Sequence, residues 1–362
     1  MTPPIIQRLD VESYGCIKKL SLPLTPLHAL IGPNDSGKST ILRALRTAAQ
    51  FAVGTFPGPG KSDPFDPMIA VTGSAPTFTL HVAEDLAYRV RTDSQVSEEI
   101  VAGGQVVPGS LRRREWHEVG IVTQLASRAG EPEAYATKLA AHISLPTMIR
   151  FDPDFLRAPA ALIPESKGIA LADERGSGLA SVFDALLNRD AEAFAEIQRE
   201  LCSRFPSVAK LGLINVSNAT KEMAITLTDG SRVGAKGMSE GLLYYLGFAA
   251  LRHLTGSRLF LVEEPENGLH PSRIADVVRG LREMSKTAQV LIATHSPLVV
   301  NELRGDEISV VTRPPALGTQ TVLLKDVPGF EEASKVYLPG ELWVSYADGN
   351  AEEPLLTGKP RS

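Results

Sequence analysis

The chain has 362 residues, 43% hydrophobic and 22% charged, the composition of an ordinary globular protein; it excludes a disordered or fibrous one. Its length suits one large α/β domain carrying an insertion, or two lobes. Lys plus Arg number 37 against 42 Asp plus Glu, a net charge of −5, which argues against coating nucleic acid by bulk charge. The richest apolar window, Leu242 to Leu251, runs into Arg252 and His253 and is too short to span a bilayer. Met1-Thr2-Pro3-Pro4 lacks the basic start and apolar core of a signal peptide. Cys16 and Cys202 form no CxxC pair and suggest no disulfide framework. A cytoplasmic chain with no membrane partner is expected.

Taken in order, Ile5 to Leu24 alternates between apolar and polar residues with a break at Tyr14-Gly15, which predicts a strand pair. Leu27 to Ile31 reads as a short buried strand entering a glycine-bearing loop. Thr40 to Ala52 carries Ile41, Leu42, Leu45 and Ala48-Ala49 at helical spacing. The Pro- and Gly-rich stretch from Gly54 to Pro67 predicts a surface loop. Strand-like segments follow at Thr77 to Ala83, Ala87 to Thr92 and Gln105 to Val107. Leu179 to Leu201 is amphipathic, and Asp190 is placed to cap its second half. Strand signals resume at Leu211 to Val216 and Met223 to Val233, where Asp229-Gly230 predicts a hairpin turn. Leu259 to Val262 and Gln289 to Ala293 are apolar enough for central parallel strands. The expected division is an α/β core over residues 1–124, a helical lid inserted over 125–205, a second core part over 206–326, and a tail over 327–362.

Gly32-Pro33-Asn34-Asp35-Ser36-Gly37-Lys38-Ser39 matches G-x-x-x-x-G-K-[ST] at every fixed position, after an apolar strand and before a helix. Glycines let backbone amides turn inward around phosphate oxygens, and the helix start adds favourable partial charge. Lys38 is expected to reach the β and γ phosphates of a nucleotide and Ser39 to give an oxygen to Mg²⁺; Thr40 is counted with the binding segment. Leu259-Phe260-Leu261-Val262-Glu263-Glu264 is a buried strand ending in two carboxylates. Glu263 at the strand end can hold Mg²⁺, and Glu264 can polarise the water that attacks the γ phosphate. Gln289 to Ala293 leads into Thr294-His295-Ser296-Pro297, which places His295 at the carboxyl edge where open α/β sheets bind ligands.

This set resembles the ABC-type ATPases, in the branch of soluble OLD-like, SMC-like, DNA-repair and phage-defence ATPases. The phosphate loop is similar to their Walker A motif, Leu259 to Glu264 to their Walker B strand, Glu264 to Pro271 to the extended D-loop of the OLD-like subgroup, and Thr294-His295-Ser296 to its switch histidine. The resemblance implies an α/β P-loop NTPase with an ABC-type core, a mixed sheet and an inserted helical lid, and ATP with Mg²⁺ as ligands. It also singles out Met238-Ser239-Glu240-Gly241 as the counterpart of the ABC signature. Ser239 and Gly241 would there contact the nucleotide held by a second copy, in a head-to-tail dimer. Glu263 stands where many relatives carry Asp, and Glu240 and Leu242 depart from the usual signature. No Q-loop glutamine is assigned among Gln50, Gln95, Gln105 and Gln124. The segment between loop and signature lacks the heptads of coiled-coil arms.

Leu111-Arg112-Arg113-Arg114-Glu115-Trp116 is a compact basic cluster beside an aromatic. It reads either as a solvated face or as a grip on nucleic-acid phosphates with Trp116 stacking on a base. Trp343 is either a core plug or a docking anchor. Too little chain follows His295 for the Toprim nuclease domain that OLD-like relatives often carry, so any effector is expected to be a separate protein. The expected function is an ATPase that dimerises on ATP and drives change in a partner complex. The rival is a nucleotide-gated scaffold with little turnover, and a DNA-repair ATPase is a third reading.

Overall fold

The computed structural model describes residues 5–54, 74–115, 117–126, 128 and 130–346. It divides into two compact units, one of Met1–Thr147, Arg258–Glu264 and Arg282–Ser362, the other of Met148–Ser257 and Pro265–Leu281. The loop expected between Gly54 and Pro67 lies, past its first residue, outside the described residues.

The first unit is built on two sheets. Five strands of one run in the order Gln320–Leu323, Ile308–Thr312, Leu27–Ile31, Gln289–Thr294, Leu259–Glu263. The last four are mutually parallel and the first is antiparallel to its neighbour, so the sheet is mixed. Every residue of Leu27–Ile31, Gln289–Thr294, Leu259–Glu263 and Ile308–Thr312 is buried. Such buried, mainly apolar runs are what strands covered on both faces require. Ile308–Thr312 extends the core beyond the last strand expected from the sequence. The second sheet is antiparallel, in the order Ile17–Pro23, Arg8–Tyr14, Thr77–Ala83, Leu86–Thr92, Val96–Ala102 and Gln105–Val106.

Arg112–Arg114, expected as a basic surface cluster, is instead a strand paired with Val96–Ala102. The Arg114 and Glu98 side chains are fully buried and joined by a 2.7 Å ion pair, and Tyr88 Oη donates to the same carboxylate at 2.6 Å. Arg112 pairs with Glu118. Two of the three arginines therefore serve the fold, and a phosphate-gripping cluster is not formed. Trp116 lies outside the described residues. Near the C-terminus Trp343, 7% exposed, sits in helix Pro339–Tyr346, which packs on helix Pro297–Val300. It is a core plug, not an exposed anchor.

One buried group in the central strand is titratable. His28 bonds Ser309 Oγ at 2.9 Å through Nε2 and Thr25 Oγ1 at 3.2 Å through Nδ1. Burial pushes its pKa down from 6.5 to about 4. The folded chain keeps His28 neutral while the unfolded chain protonates it below pH 6.5. Stability should thus be independent of His28 above that pH and fall as pH drops towards 4, by up to ~1.4 kcal/mol per unit. Denaturant melts of native and His28→Gln chains across pH 4–7 check this: the variant should lose that part of the slope, and identical slopes would contradict it.

In the second unit Asp190 divides the amphipathic stretch into helices Leu179–Arg189 and Ala191–Arg204, its carboxylate accepting from Ala193 N at 3.1 Å. Val208–Asn215, Thr220–Leu227 and Arg232–Gly234 form an antiparallel meander. The expected turn is present: Gly230 has φ +86° and Asp229 Oδ1 accepts from Ser231 N at 2.8 Å. Helix Glu240–Leu251 buries residues on all its faces, as a core helix does. Among the described residues no helix is long and apolar enough to cross a membrane.

Candidate functional site

Parallel pairing aligns the carboxyl ends of three adjacent strands. Ile31 lies beside Thr294, and Ala293 beside Glu263. The loop of residues 32–37 therefore leaves the sheet next to the strands that carry the acids and the histidine, the edge where open α/β sheets place ligands.

The loop is tightly enclosed. A Cβ on Gly32 would lie 2.3 Å from Val311 O, and one on Gly37 2.2 Å from Thr319 Oγ1. Gly37 also has φ +106°, which disfavours any side chain. Asp35 adopts a left-handed conformation at φ +65°, so the backbone doubles back before the helix Lys38–Val53. That helix starts at Gly37 with no side-chain cap and no acid in its first turn. A start with neither a capping side chain nor an acid suits an anion. Ser36 is 3% exposed and its buried Oγ has no hydrogen-bond partner. Lys38 Nζ lies over the loop, donating to Gly32 O at 2.7 Å and Pro33 O at 2.8 Å. Pro33, Asn34 and Asp35 are exposed, whereas Ser39 and Thr40 are half-buried on the first turn. Thr40 Oγ1 accepts from the Cys16 thiol at 3.4 Å.

The acid pair divides as its sequence position suggests. Glu263 ends its strand buried at 8% exposure, and Glu264 turns away with φ +48°, an unusual conformation for a residue with a side chain. Its N–H donates to Ala293 O at 2.8 Å, locking the turn against the neighbouring strand. The Glu264 carboxylate then stands 3.7 Å from His295 Nδ1. Both side chains are partly exposed, at 33% and 52%, so water can reach them. No group of three or more His, Cys, Asp or Glu is placed to cage a metal among the described residues. Ser39 offers a hydroxyl and Glu263 a buried carboxylate, and magnesium sites that share substrate phosphates need only such a sparse set of protein oxygens.

Ser239 and Gly241 belong to the second unit. Ser239 is exposed at the N-cap of helix Glu240–Leu251 and makes no side-chain cap, so its hydroxyl is not spent on its own helix. A Cβ on Gly241 would meet only Gly268 O, at an ordinary 3.5 Å; the chain's own packing does not demand glycine there. Among the glutamines, Gln124 accepts from Arg112 and Gln95 donates to Glu115, contacts internal to the fold.

Sequence reasoning missed the segment after Ile308–Thr312. Residues 313–319 close one side of the phosphate loop: Thr319 Oγ1 donates to Ser36 O at 2.9 Å, and Arg313 Nη1 to Asp35 O at 3.4 Å. The doubled proline and the glycine in Arg313-Pro314-Pro315-Ala316-Leu317-Gly318 signal a shaped loop, but nothing local signals what it touches.

A family model described as "AAA domain, putative AbiEii toxin, Type IV TA system" matches residues 27–301. The OLD nuclease of Thermus scotoductus is 49% identical over 41 residues, 11% of this chain and 8% of that protein. The match thus spans less than a tenth of that relative's length. Among solved structures, an SMC head bound to the C-winged helix domain of ScpA is similar with a TM-score of 0.56 at 15% identity, covering 88% of this chain and 98% of that one. An SMC head with an extended coiled coil, bound to the C-terminal domain of ScpA derived from Pyrococcus furiosus, has a TM-score of 0.51 at 13% identity, covering 92% and 98%. At these identities the likeness is one of fold.

Proposed function

This chain belongs to that AAA-domain family, and from that premise we propose that it is an ABC/AAA-type ATPase of the OLD-like and SMC-like kind, which binds ATP with magnesium and hydrolyses it. The observation that carries the reading is the alignment of loop, acids and histidine at one sheet edge, with Glu264 3.7 Å from His295. In this account the amides of residues 34–39 and the Lys38 ammonium hold the triphosphate. Ser39 and Glu263 hold magnesium, which offsets phosphate charge when bound. Glu264 accepts a proton from the attacking water, and His295 orients that water and the γ phosphate. Since the acids are fixed by strand ends and a backbone bond, little reorganisation is needed as charge develops.

The proposal extends to assembly. Two copies bind head to tail, and Ser239 and Gly241 of each meet the γ phosphate held by the other. The uncapped Ser239 hydroxyl and the sterically undemanded glycine support this arrangement. Closure on ATP and opening on hydrolysis then act on a separate protein, as the solved SMC heads bind ScpA domains, in DNA repair or phage defence. Sedimentation of Glu264→Gln with MgATP tests it. The expected result is a shift from monomer to dimer, which Ser239→Arg prevents while leaving ATP bound. A monomer with ATP bound in both chains would remove the dimer from the account.

A further inference from the structure

We infer that Asn301, by its bond to the C-terminal helix Pro339–Tyr346, is a positioning residue for His295 and sets where that ring stands against Glu264 and the γ phosphate. The inference rests on the hydrolysis reading above and adds a residue that acts through His295 instead of on the nucleotide.

The His295 side chain is half exposed, and the residues on either side of it, Thr294 and Ser296, are buried. Its placement therefore follows the backbone that enters and leaves it. The entering backbone is the strand Gln289–Thr294, buried throughout and paired on both edges. The leaving backbone is the four-residue helix Pro297–Val300, too short to be stable by itself. Ser296 N donates to Thr294 Oγ1 at 2.9 Å, closing the turn around the histidine. A displacement of the short helix is thus passed to His295, while the strand stays fixed.

The short helix is held from outside. Val299 and Val300 anchor one face of it in the core, both fully buried. The C-terminal helix closes on it from elsewhere, so tightly that a Cβ on Gly340 would lie 2.2 Å from Pro297 O and 2.6 Å from Asn301 Oδ1. Only a residue without a side chain permits that approach. Asn301 Oδ1 accepts from Gly340 N at 2.8 Å, satisfying a first-turn donor that no helix can satisfy internally. Such a donor is ordinarily capped by the residue that opens its own helix; here the cap comes from the segment that carries His295. The C-terminal helix is itself well seated. Glu341 Oε2 accepts from Leu338 N at 2.9 Å, and Leu342 and Trp343 are buried. Asn301 therefore ties the histidine segment to a fixed element far away in sequence.

The test is Asn301→Ala, with Asn301→Asp as the conservative variant, because a carboxylate also accepts from a helix-start amide. Steady-state hydrolysis should show kcat lowered roughly 10- to 100-fold in Asn301→Ala, the cost of a misplaced reacting group. KM for MgATP should be unchanged, and Asn301→Asp should keep the native kcat. A His295→Ala background separates positioning from general damage. There Asn301→Ala should cost nothing further, since the group it positions is gone. An equal loss in both backgrounds would overturn the inference, as would a native kcat in Asn301→Ala. Failure of the hydrolysis reading looks different: the native chain itself releases no phosphate. A second measurement needs no turnover. The His295 ring resonance, identified by its loss in His295→Ala, should shift in nucleotide-free Asn301→Ala and keep its native position in Asn301→Asp. An unmoved resonance in Asn301→Ala would overturn the inference whatever the activity.

Discussion

Lys38→Ala is expected to weaken MgATP binding on the order of 100-fold, the loss of about two charge-assisted hydrogen bonds. The lysine ammonium lies 2.7 and 2.8 Å from the Gly32 and Pro33 carbonyls, over the loop mouth. On binding it exchanges those carbonyls for phosphate oxygens of full charge, which an alanine cannot do. The loop itself should persist, since its shape is set by Gly32 and Gly37 against Val311 and Thr319. Calorimetric titration of both chains checks the prediction, with unchanged melting as the control on folding. Equal affinities would refute the assignment of this loop to the triphosphate.

Glu264→Gln should separate binding from chemistry. The substitution keeps the side chain's size and the backbone bond from residue 264 to Ala293 O, but an amide cannot take the proton of the attacking water. Turnover should fall ~10²–10⁴-fold, while affinity for MgATP changes by only a few-fold. Quenched-flow measurement of the conversion of prebound ATP reads the first quantity directly. Hydrolysis at the native rate would move the base to another residue.

The parts of the site that could be read from sequence are those whose signal is local. A motif with four fixed positions between an apolar strand and a helix places the loop, and the helix expected from Thr40 is observed as Lys38–Val53. Leu259–Glu263 and Gln289–Thr294 were legible because central parallel strands are unbroken apolar runs. Ile308–Thr312 has the same character but is only five residues long, and periodicity does not distinguish such a run from a turn of buried helix. Three adjacent arginines read locally as a solvated face; only the pairing of their strand with Val96–Ala102 reveals Glu98 as Arg114's partner. The closure of the phosphate loop by residues 313–319 was illegible for the same reason. Thr319 is joined to Cys16 and Ser36 by hydrogen bonds across nearly the whole chain. The left-handed turn at Glu264 has no residue signature either, because a glycine would mark such a turn and a carboxylate occupies it.

The central claim is that this site hydrolyses ATP and does not merely hold it. The measurement that bears on it most directly is phosphate release by the purified native chain at saturating MgATP, with Lys38→Ala as the background. The account predicts continuous release over many turnovers, well above that background. ATP bound at stoichiometry with no release above background would contradict it and leave a nucleotide-gated scaffold in its place.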